Sequence, residues 1–152
     1  MRQRVLFVCI GNACRSQMAE AFARSYGHDV IEACSAGLSP AMIVDRNTKA
    51  VMRERALSLE DHFPKTVEEA LRQPPTLIVN MSGVVLPPSL AGLPAEAWPV
   101  RDPVGEPISV HRAVRDQIEG LVMNLILRLR QRKSPGDAPT PPARRIKFGR
   151  MI

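Results

Sequence analysis

The sequence predicts a single α/β domain of three layers, in which a four-stranded parallel sheet is flanked by helices. Its 152 residues are the usual length of one domain that buries one core. Short apolar runs typical of buried strands alternate along the chain with segments of helical periodicity, and such alternation favours a mostly parallel sheet. The composition, 45% apolar and 24% charged, is that of an ordinary globular protein.

A strand, a tight loop and a helix open the chain. Residues 4–9 form an apolar run with β-branched and aromatic side chains, which predicts a buried strand. Gly11 and Asn12 follow directly and indicate a tight turn. From residue 16 to residue 26 the apolar side chains recur at helical spacing, and Gly27 supplies a stop.

The alternation continues through the middle of the chain. Residues 30–34 predict a second strand, which ends at the sequence Ser35-Ala36-Gly37. Residues 46–57 predict a helix with apolar side chains on its inner face. Residues 66–72 predict a short helix, after which Pro74-Pro75 breaks the chain.

The last elements include the clearest helix of the sequence. Residues 76–81 predict a third buried strand, and the Gly-, Pro- and Ser-rich residues 82–94 predict a long loop. Residues 98–101 predict a fourth short strand, which Asp102-Pro103 ends. Residues 110–129 carry one continuous apolar face and predict a helix packed on the sheet.

Charge and composition divide the chain into a domain, residues 1–133, and a Pro-rich basic tail, residues 134–152, which is expected to be flexible. Residues 1–127 hold 13 basic and 14 acidic side chains, so the net charge of +6 comes from the C-terminal end. A basic nucleic-acid-binding face is therefore not expected. Neither an export signal nor an apolar run of about 20 residues is found, which predicts a cytoplasmic protein without a membrane partner. Three cysteines are then expected as reduced thiols.

The loop after the first strand carries the chemistry. It begins with the thiol of Cys9, and the guanidinium of Arg15 and the hydroxyl of Ser16 close it at the start of the helix. Backbone N–H groups of such a loop, together with the helix dipole, form a cradle for a tetrahedral anion. The same positive field favours the thiolate of Cys9, and Arg15 can grip two oxygens of the anion. The predicted substrate-binding residues are Ile10, Gly11, Asn12, Ala13, Cys14, Arg15 and Ser16.

The chain resembles the low-molecular-weight protein tyrosine phosphatases and the arsenate reductases built on the same fold. The resemblance spans most of residues 4–130 and rests on five motifs in the family's order. These are Cys9-x5-Arg15-Ser16 with Gly11-Asn12 inside it, Ser35-Ala36-Gly37, His62 with Pro64-Lys65, Asp102-Pro103 and Arg115-Asp116.

The resemblance implies a metal-independent phosphatase that needs no cofactor. Cys9 would form a cysteinyl-phosphate intermediate, and Asp102 would act first as acid and then as base. Ser16 would donate a hydrogen bond to the Cys9 thiolate. The residues expected to support the loop are Asn12, Ser16, Ser35 and His62. The substrate would be a phosphorylated protein, of phosphotyrosine type, or a small phosphate ester such as another aryl phosphate. The three histidines are too scattered in sequence to suggest a metal site.

Two other functions stay open. An arsenate reductase would use the same Cys9 loop, but residues 82–98 lack the extra cysteines that thioredoxin-coupled members carry there, so an external thiol reductant or another cysteine is required. A catalytically weak phosphoprotein-binding module is the third hypothesis.

Cys14 is either a packing residue or, as the resemblance suggests, a disulfide partner of Cys9. Cys34 is expected in the core, and residues 38–47 lack the aromatic wall that holds a phosphotyrosine ring.

Overall fold

In a computed structural model, which describes residues 2–133, four parallel strands form one sheet in the order β2-β1-β3-β4. A 3-10 turn, Pro88–Leu90, precedes β4. The elements in chain order are β1 Gln3–Cys9, α1 Arg15–Tyr26, β2 Ile31–Gly37, α2 Arg46–Arg53, α3 Val67–Ala70, β3 Leu77–Asn80, β4 Ala95–Ala97 and α4 Ile108–Lys133. The tail, residues 134–152, lies outside the described residues. The predicted fold class is confirmed.

The central strand β1 divides the core into two clusters because its side chains alternate between the faces of the sheet. Val5, Phe7 and Cys9 lie in the larger cluster, which α1, α2 and α4 cover. Leu6 and Val8 lie in the smaller cluster, which α3 and the 3-10 turn cover. Helices on both faces therefore leave β1 buried, and the parallel pairing brings the carboxyl ends of β1, β2 and β3 to one edge.

The predicted fourth strand is wrong by three to four residues. The strand is Ala95–Ala97, which pairs with β3, and Trp98 donates only one further backbone hydrogen bond, to Asn80. Trp98 and Val100 are buried and pack against the larger cluster outside the sheet. The prediction followed their apolar side chains, whereas the edge strand carries mostly exposed residues of low strand propensity.

Two other boundaries differ from prediction for local reasons. Strand β2 continues through Ser35 to Gly37, because parallel pairing with β1 extends to the partners Cys9 and Gly37. Helix α2 ends at Arg53, four residues before the predicted end, because Ala56 has a positive φ of 59°, which an α-helix cannot continue through.

No helix among the described residues is long and apolar enough to cross a membrane.

Candidate active site

The loop from Cys9 to Arg15 lies where β1 ends and α1 begins, at the carboxyl edge of the sheet. Residues 38–45 run along it, since Ser39 donates a backbone hydrogen bond to Ile10 and Asp45 donates one to Ala13. Cys14 is the N-cap of α1, and its side chain makes no capping bond. The first N–H groups of α1 therefore keep their capacity to bind an anion.

Gly37 lets the loop approach the sheet closely. A Cβ at this position would lie 2.8 Å from the carbonyl oxygen of Ile10 and 3.0 Å from Cβ of Asn12. The first separation is shorter than real Cβ atoms show and the second is very tight, so the third residue of the Ser35-Ala36-Gly37 motif is a packing requirement of the loop.

The Cys9 thiol is buried and contacts one hydroxyl. Its Sγ lies 2.9 Å from Oγ of Ser16, which also accepts a 2.7 Å hydrogen bond from Nδ2 of Asn12. Because the hydroxyl oxygen accepts from Asn12, its own proton is free to point at the sulfur. The geometry therefore suits a thiolate at Cys9.

Asn12 is held in a strained conformation by its side-chain contacts. Its φ is 51°, a value that favours glycine. Its Oδ1 accepts hydrogen bonds from the backbone N–H of Lys65, at 2.9 Å, and from Nε2 of Gln17, at 3.1 Å. Oε1 of Gln17 in turn lies 2.8 Å from Nδ1 of His62. His62 thus reaches the loop through Gln17.

Arg15 is fixed at the base of the loop with its charge buried. One terminal nitrogen donates to the carbonyl oxygens of Met81, at 2.7 Å, and Val100, at 3.1 Å, and the other lies 3.5 Å from Oδ2 of Asp102. Its Nε is buried without a hydrogen-bond partner among the described residues. An oxyanion in the loop would supply that partner.

Asp102 lies at the mouth of the site rather than at a strand end. It follows β4 by five residues, and its Oδ1 accepts a hydrogen bond from the backbone N–H of Val104. Its side chain is 46% exposed, so it can exchange protons with solvent and still face Arg15. The carboxylate therefore has the position of a general acid and base.

Ser35 does not contact the loop directly. Its hydroxyl donates to the buried carboxylate of Glu20 and accepts a 3.3 Å hydrogen bond from Nζ of Lys65. Arg24 also pairs with Glu20, at 2.9 Å. Among the described hydrogen bonds, Lys65 links Ser35 to the loop, because its backbone N–H binds Asn12.

The side chain of Cys14 lies in a buried polar cluster behind the loop. Burial raises the pKa of the Cys14 thiol to about 12, although a hydrogen bond from Thr48 opposes the shift. The Thr48 hydroxyl also lies 2.9 Å from Nδ1 of His111, a fully buried ring. At neutral pH Cys14 is therefore a protonated and weakly nucleophilic thiol.

Several residues of the site were not found from the sequence. Gln17 and Glu20 lie on the first turns of α1 and are buried, but their helical spacing resembles that of ordinary surface positions. The carbonyl groups that hold Arg15 belong to residues of no distinctive type. The one signal for Gln17 and Glu20 was their spacing of three residues, which places both on one face of α1.

Comparisons with known proteins show the family to which the chain is similar. A family model for low molecular weight phosphotyrosine protein phosphatases matches residues 4–86. The glutaredoxin arsenate reductase of Synechocystis is 33% identical over 130 residues, 84% of this chain and 98% of that protein. An arsenate reductase in a phosphate-binding state covers 85% of this chain and 99% of its own, with 33% identity and a TM-score of 0.77. The YwlE arginine phosphatase of Geobacillus stearothermophilus covers 86% and 95%, with 27% identity and a TM-score of 0.71.

Proposed function

The chain belongs to the low molecular weight phosphotyrosine protein phosphatase family, and from this premise we propose that it hydrolyses phosphate monoesters through a cysteinyl-phosphate intermediate on Cys9. One observation supports the proposal, namely that the Cys9 thiol, the Arg15 guanidinium and the Asp102 carboxylate lie in one site. Ser16 lies 2.9 Å from the Cys9 sulfur, and Asp102 lies 3.5 Å from the guanidinium of Arg15.

The first chemical step is attack on phosphorus. The Cys9 thiolate forms a bond to phosphorus while the bond from phosphorus to the leaving oxygen breaks, and protonated Asp102 gives its proton to that oxygen. Arg15 and the loop N–H groups hold the equatorial oxygens, whose interactions strengthen in the transition state. The carbonyls of Met81 and Val100 keep the guanidinium in place, so little reorganisation is needed.

The second step regenerates the enzyme. Asp102, now a carboxylate, takes a proton from water as the water oxygen attacks phosphorus, and the bond from sulfur to phosphorus breaks. Inorganic phosphate leaves, and Cys9 returns to the thiolate that the Ser16 hydroxyl stabilises. The exposure of Asp102 supports this role because the attacking water enters from solvent.

The rim of the site supports a phosphorylated protein or a small phosphate ester as substrate. Met42 and Ile43, on the segment that runs along the loop, are largely exposed, and so is Val104 beside Asp102. These aliphatic side chains offer apolar contact without the ring stacking that favours phosphotyrosine. We propose that a substrate of the phosphotyrosine type is accepted without strong selection for its ring.

Arsenate reduction is the second candidate, because the curated relatives include proteins named arsenate reductases. A second thiol must then attack the sulfur of a Cys9–arsenate adduct, supplying two electrons and releasing arsenite. Cys34 lies beside Leu6 in the sheet, and Leu6 precedes Cys9 by three residues. Cys34 is therefore roughly 10 Å from Cys9, which is too far for a disulfide. Cys14 is protonated at neutral pH. The weak nucleophilicity of Cys14 therefore favours an external thiol as the second nucleophile, and we rank the reductase below the phosphatase.

One experiment separates these activities. We would measure hydrolysis of a chromogenic aryl phosphate, in EDTA, by the parent protein and by Cys9→Ser, and would assay arsenate with small thiols in parallel. Hydrolysis that disappears in Cys9→Ser is the expected result. Thiol-dependent arsenite formation without hydrolysis would replace the phosphatase by the reductase, and phosphate binding without either turnover would leave a docking module.

Asp102→Asn tests the acid and base role. We expect kcat to fall about 100-fold or more on a substrate with a poor leaving group, because no proton donor remains. Binding of vanadate should change little, since Arg15 and the loop are intact. Equal rates for parent and variant on the poor leaving group would remove Asp102 from the mechanism.

A further inference from the structure

Three side chains of metal-ligand type converge behind the loop. One donor atom from each of Cys14, Asp45 and His111 lies within 4.8 Å of the other two. Nδ1 of His111 lies 3.8 Å from Oδ1 of Asp45. The three residues are far apart in sequence, which is why the spacing of the histidines gave no indication of the cluster.

Three different elements hold these side chains in place. Cys14 is the N-cap of α1, and Asp45 is the N-cap of α2, where its Oδ1 accepts from the backbone N–H of Thr48. His111 lies in the first turn of α4. Cys14 and His111 are buried, whereas the side chain of Asp45 is 21% exposed and leaves a path from solvent.

The charge of the cluster is not balanced by a cation. Among the ion pairs of residues 2–133, Asp45 has only the His111 ring as a partner, and no lysine or arginine lies within ion-pair distance of it. A divalent ion would bind this carboxylate and convert Cys14 into a thiolate. Two negative ligands and one neutral imidazole would then give a neutral complex, which costs least to bury.

We propose that Cys14, Asp45 and His111 bind one divalent ion of the zinc type. Sulfur, nitrogen and oxygen donors are the set that zinc uses, with ligand atoms about 3.3–3.6 Å apart in a tetrahedral site. The separation of 3.8 Å between His111 and Asp45 is close to that range. The donor atoms lie at most 4.8 Å apart. Bringing two donor atoms from that distance to the tetrahedral range needs a shift of roughly 1 Å, shared between their side chains. The hydroxyl of Thr48 or a water takes the fourth position.

This site is distinct from the chemistry proposed for Cys9. The hydrolytic steps use Arg15, Asp102 and backbone amides, and none of them requires the ion. Its effect is on the loop itself, because a metal bound to Cys14 ties the residue before Arg15 to α2 and α4. The bound ion also removes the Cys14 thiol from any other reaction.

Cobalt(II) tests the proposal, since a thiolate bound to cobalt absorbs in the near ultraviolet. The titration is made on full-length Cys9→Ser, so that the reactive thiol cannot contribute. We expect one equivalent of cobalt to give the thiolate absorption. Adding Cys14→Ser should abolish it, and adding Asp45→Asn or His111→Gln should weaken binding about tenfold or more.

The matched control is Cys34→Ser, which removes the other remaining thiol and should leave the titration unchanged. Circular dichroism checks that each variant is folded. If Cys14→Ser is unfolded, the cobalt affinity of Asp45→Asn tests the proposal instead. Absence of the absorption in folded Cys9→Ser would overturn the proposal. So would absorption that survives Cys14→Ser, or full cobalt affinity in both Asp45→Asn and His111→Gln.

Discussion

At the scale of single residues, the Cys9 thiol ends a chain of hydrogen bonds that all point toward it. Oε1 of Gln17 can only accept, so His62 donates to it, and Gln17 then donates to Asn12. Asn12 donates to Ser16, whose proton is left for the sulfur. Donors aligned in one direction polarise one another, so we expect residues distant from the sulfur to affect the reactivity of Cys9.

Gln17 is the link in this chain that can be tested most cleanly. We expect Gln17→Glu to slow alkylation of Cys9 at pH 7 by about tenfold, because a carboxylate cannot donate to Asn12 and adds buried negative charge. Gln17→Met, which removes the donor without adding charge, should slow it by about threefold. The measurement is the rate of reaction with iodoacetamide as a function of pH. Unchanged rates in both variants would confine the effect on the thiolate to Ser16 and Asn12.

His62 should make stability depend on pH. Burial lowers the pKa of His62 below its ordinary value of 6.5, with Glu20 opposing the shift and Arg24 and Lys65 adding to it. The unfolded chain therefore binds the proton more readily. The free energy of unfolding should fall as the pH drops from about 6.5 through the lowered pKa, and this contribution is constant below it.

The measurement for His62 is urea unfolding between about pH 7.5 and pH 5. His62→Gln keeps a side-chain donor for Gln17 but does not titrate, so its stability should change less with pH than that of the parent. Equal pH dependence in the two proteins would show that other groups control acid stability in this range.

At the scale of elements, the contact between the end of α1 and α4 depends on a glycine. A Cβ at Gly27 would lie 2.5 Å from Cγ1 of Ile126, a side chain in the larger core cluster. We expect Gly27→Ala to destabilise the protein by about 1–3 kcal/mol through overpacking. The matched control is Gly120→Ala on the exposed face of α4, where an added Cβ would have no atom within 4 Å apart from its chain neighbours and the helix's own backbone. This change should stabilise by about 0.5–1 kcal/mol.

Chemical denaturation of both glycine variants gives the test. Opposite signs of the change in unfolding free energy are expected, because one new methyl group enters a packed contact and the other only favours the helix. A stable Gly27→Ala would mean that Ile126 has another rotamer available at low cost.

Elements with an apolar face were predictable, and elements held by partners were not. The periodicity of α1 and α4 and the apolar run of β1 come from burial, which a sequence records directly. Strand β4 exists because β3 offers it hydrogen bonds, and its Ala-Glu-Ala sequence carries no such record. The neighbouring Trp98 and Val100 carried the apolar signal, but they pack on the core without entering the sheet.

At the scale of the whole molecule, the local part of the site could be predicted and the distant part could not. Cys9, Arg15 and Ser16 were evident because one loop holds all three. The carbonyls of Met81 and Val100 were not, because only the parallel order of the strands and the path after β4 bring them to Arg15. A sequence motif indicates residues distant in the chain only when their side chains are chemically distinctive, and a backbone carbonyl group leaves no such mark.

Removal of the tail, residues 134–152, tests whether the domain is complete without it. Both core clusters and all residues of the proposed active site lie within residues 2–133. We therefore expect the truncated protein to keep its melting temperature and its kcat/KM on a small aryl phosphate. Loss of either would show that the tail contributes to the fold, and the predicted boundary at residue 133 would be wrong.

The central position of β1 has a consequence for synthesis. Strand β1 precedes in the chain every described segment that pairs with its edges or covers its faces, the last of them α4. The apolar residues of Gln3–Cys9 therefore gain α1 and β2 as neighbours early in translation, but their set of native neighbours is complete only when Ile108–Lys133 has been made. We expect the nascent chain to acquire resistance to protease only after the ribosome releases Ile108–Lys133, in one late transition.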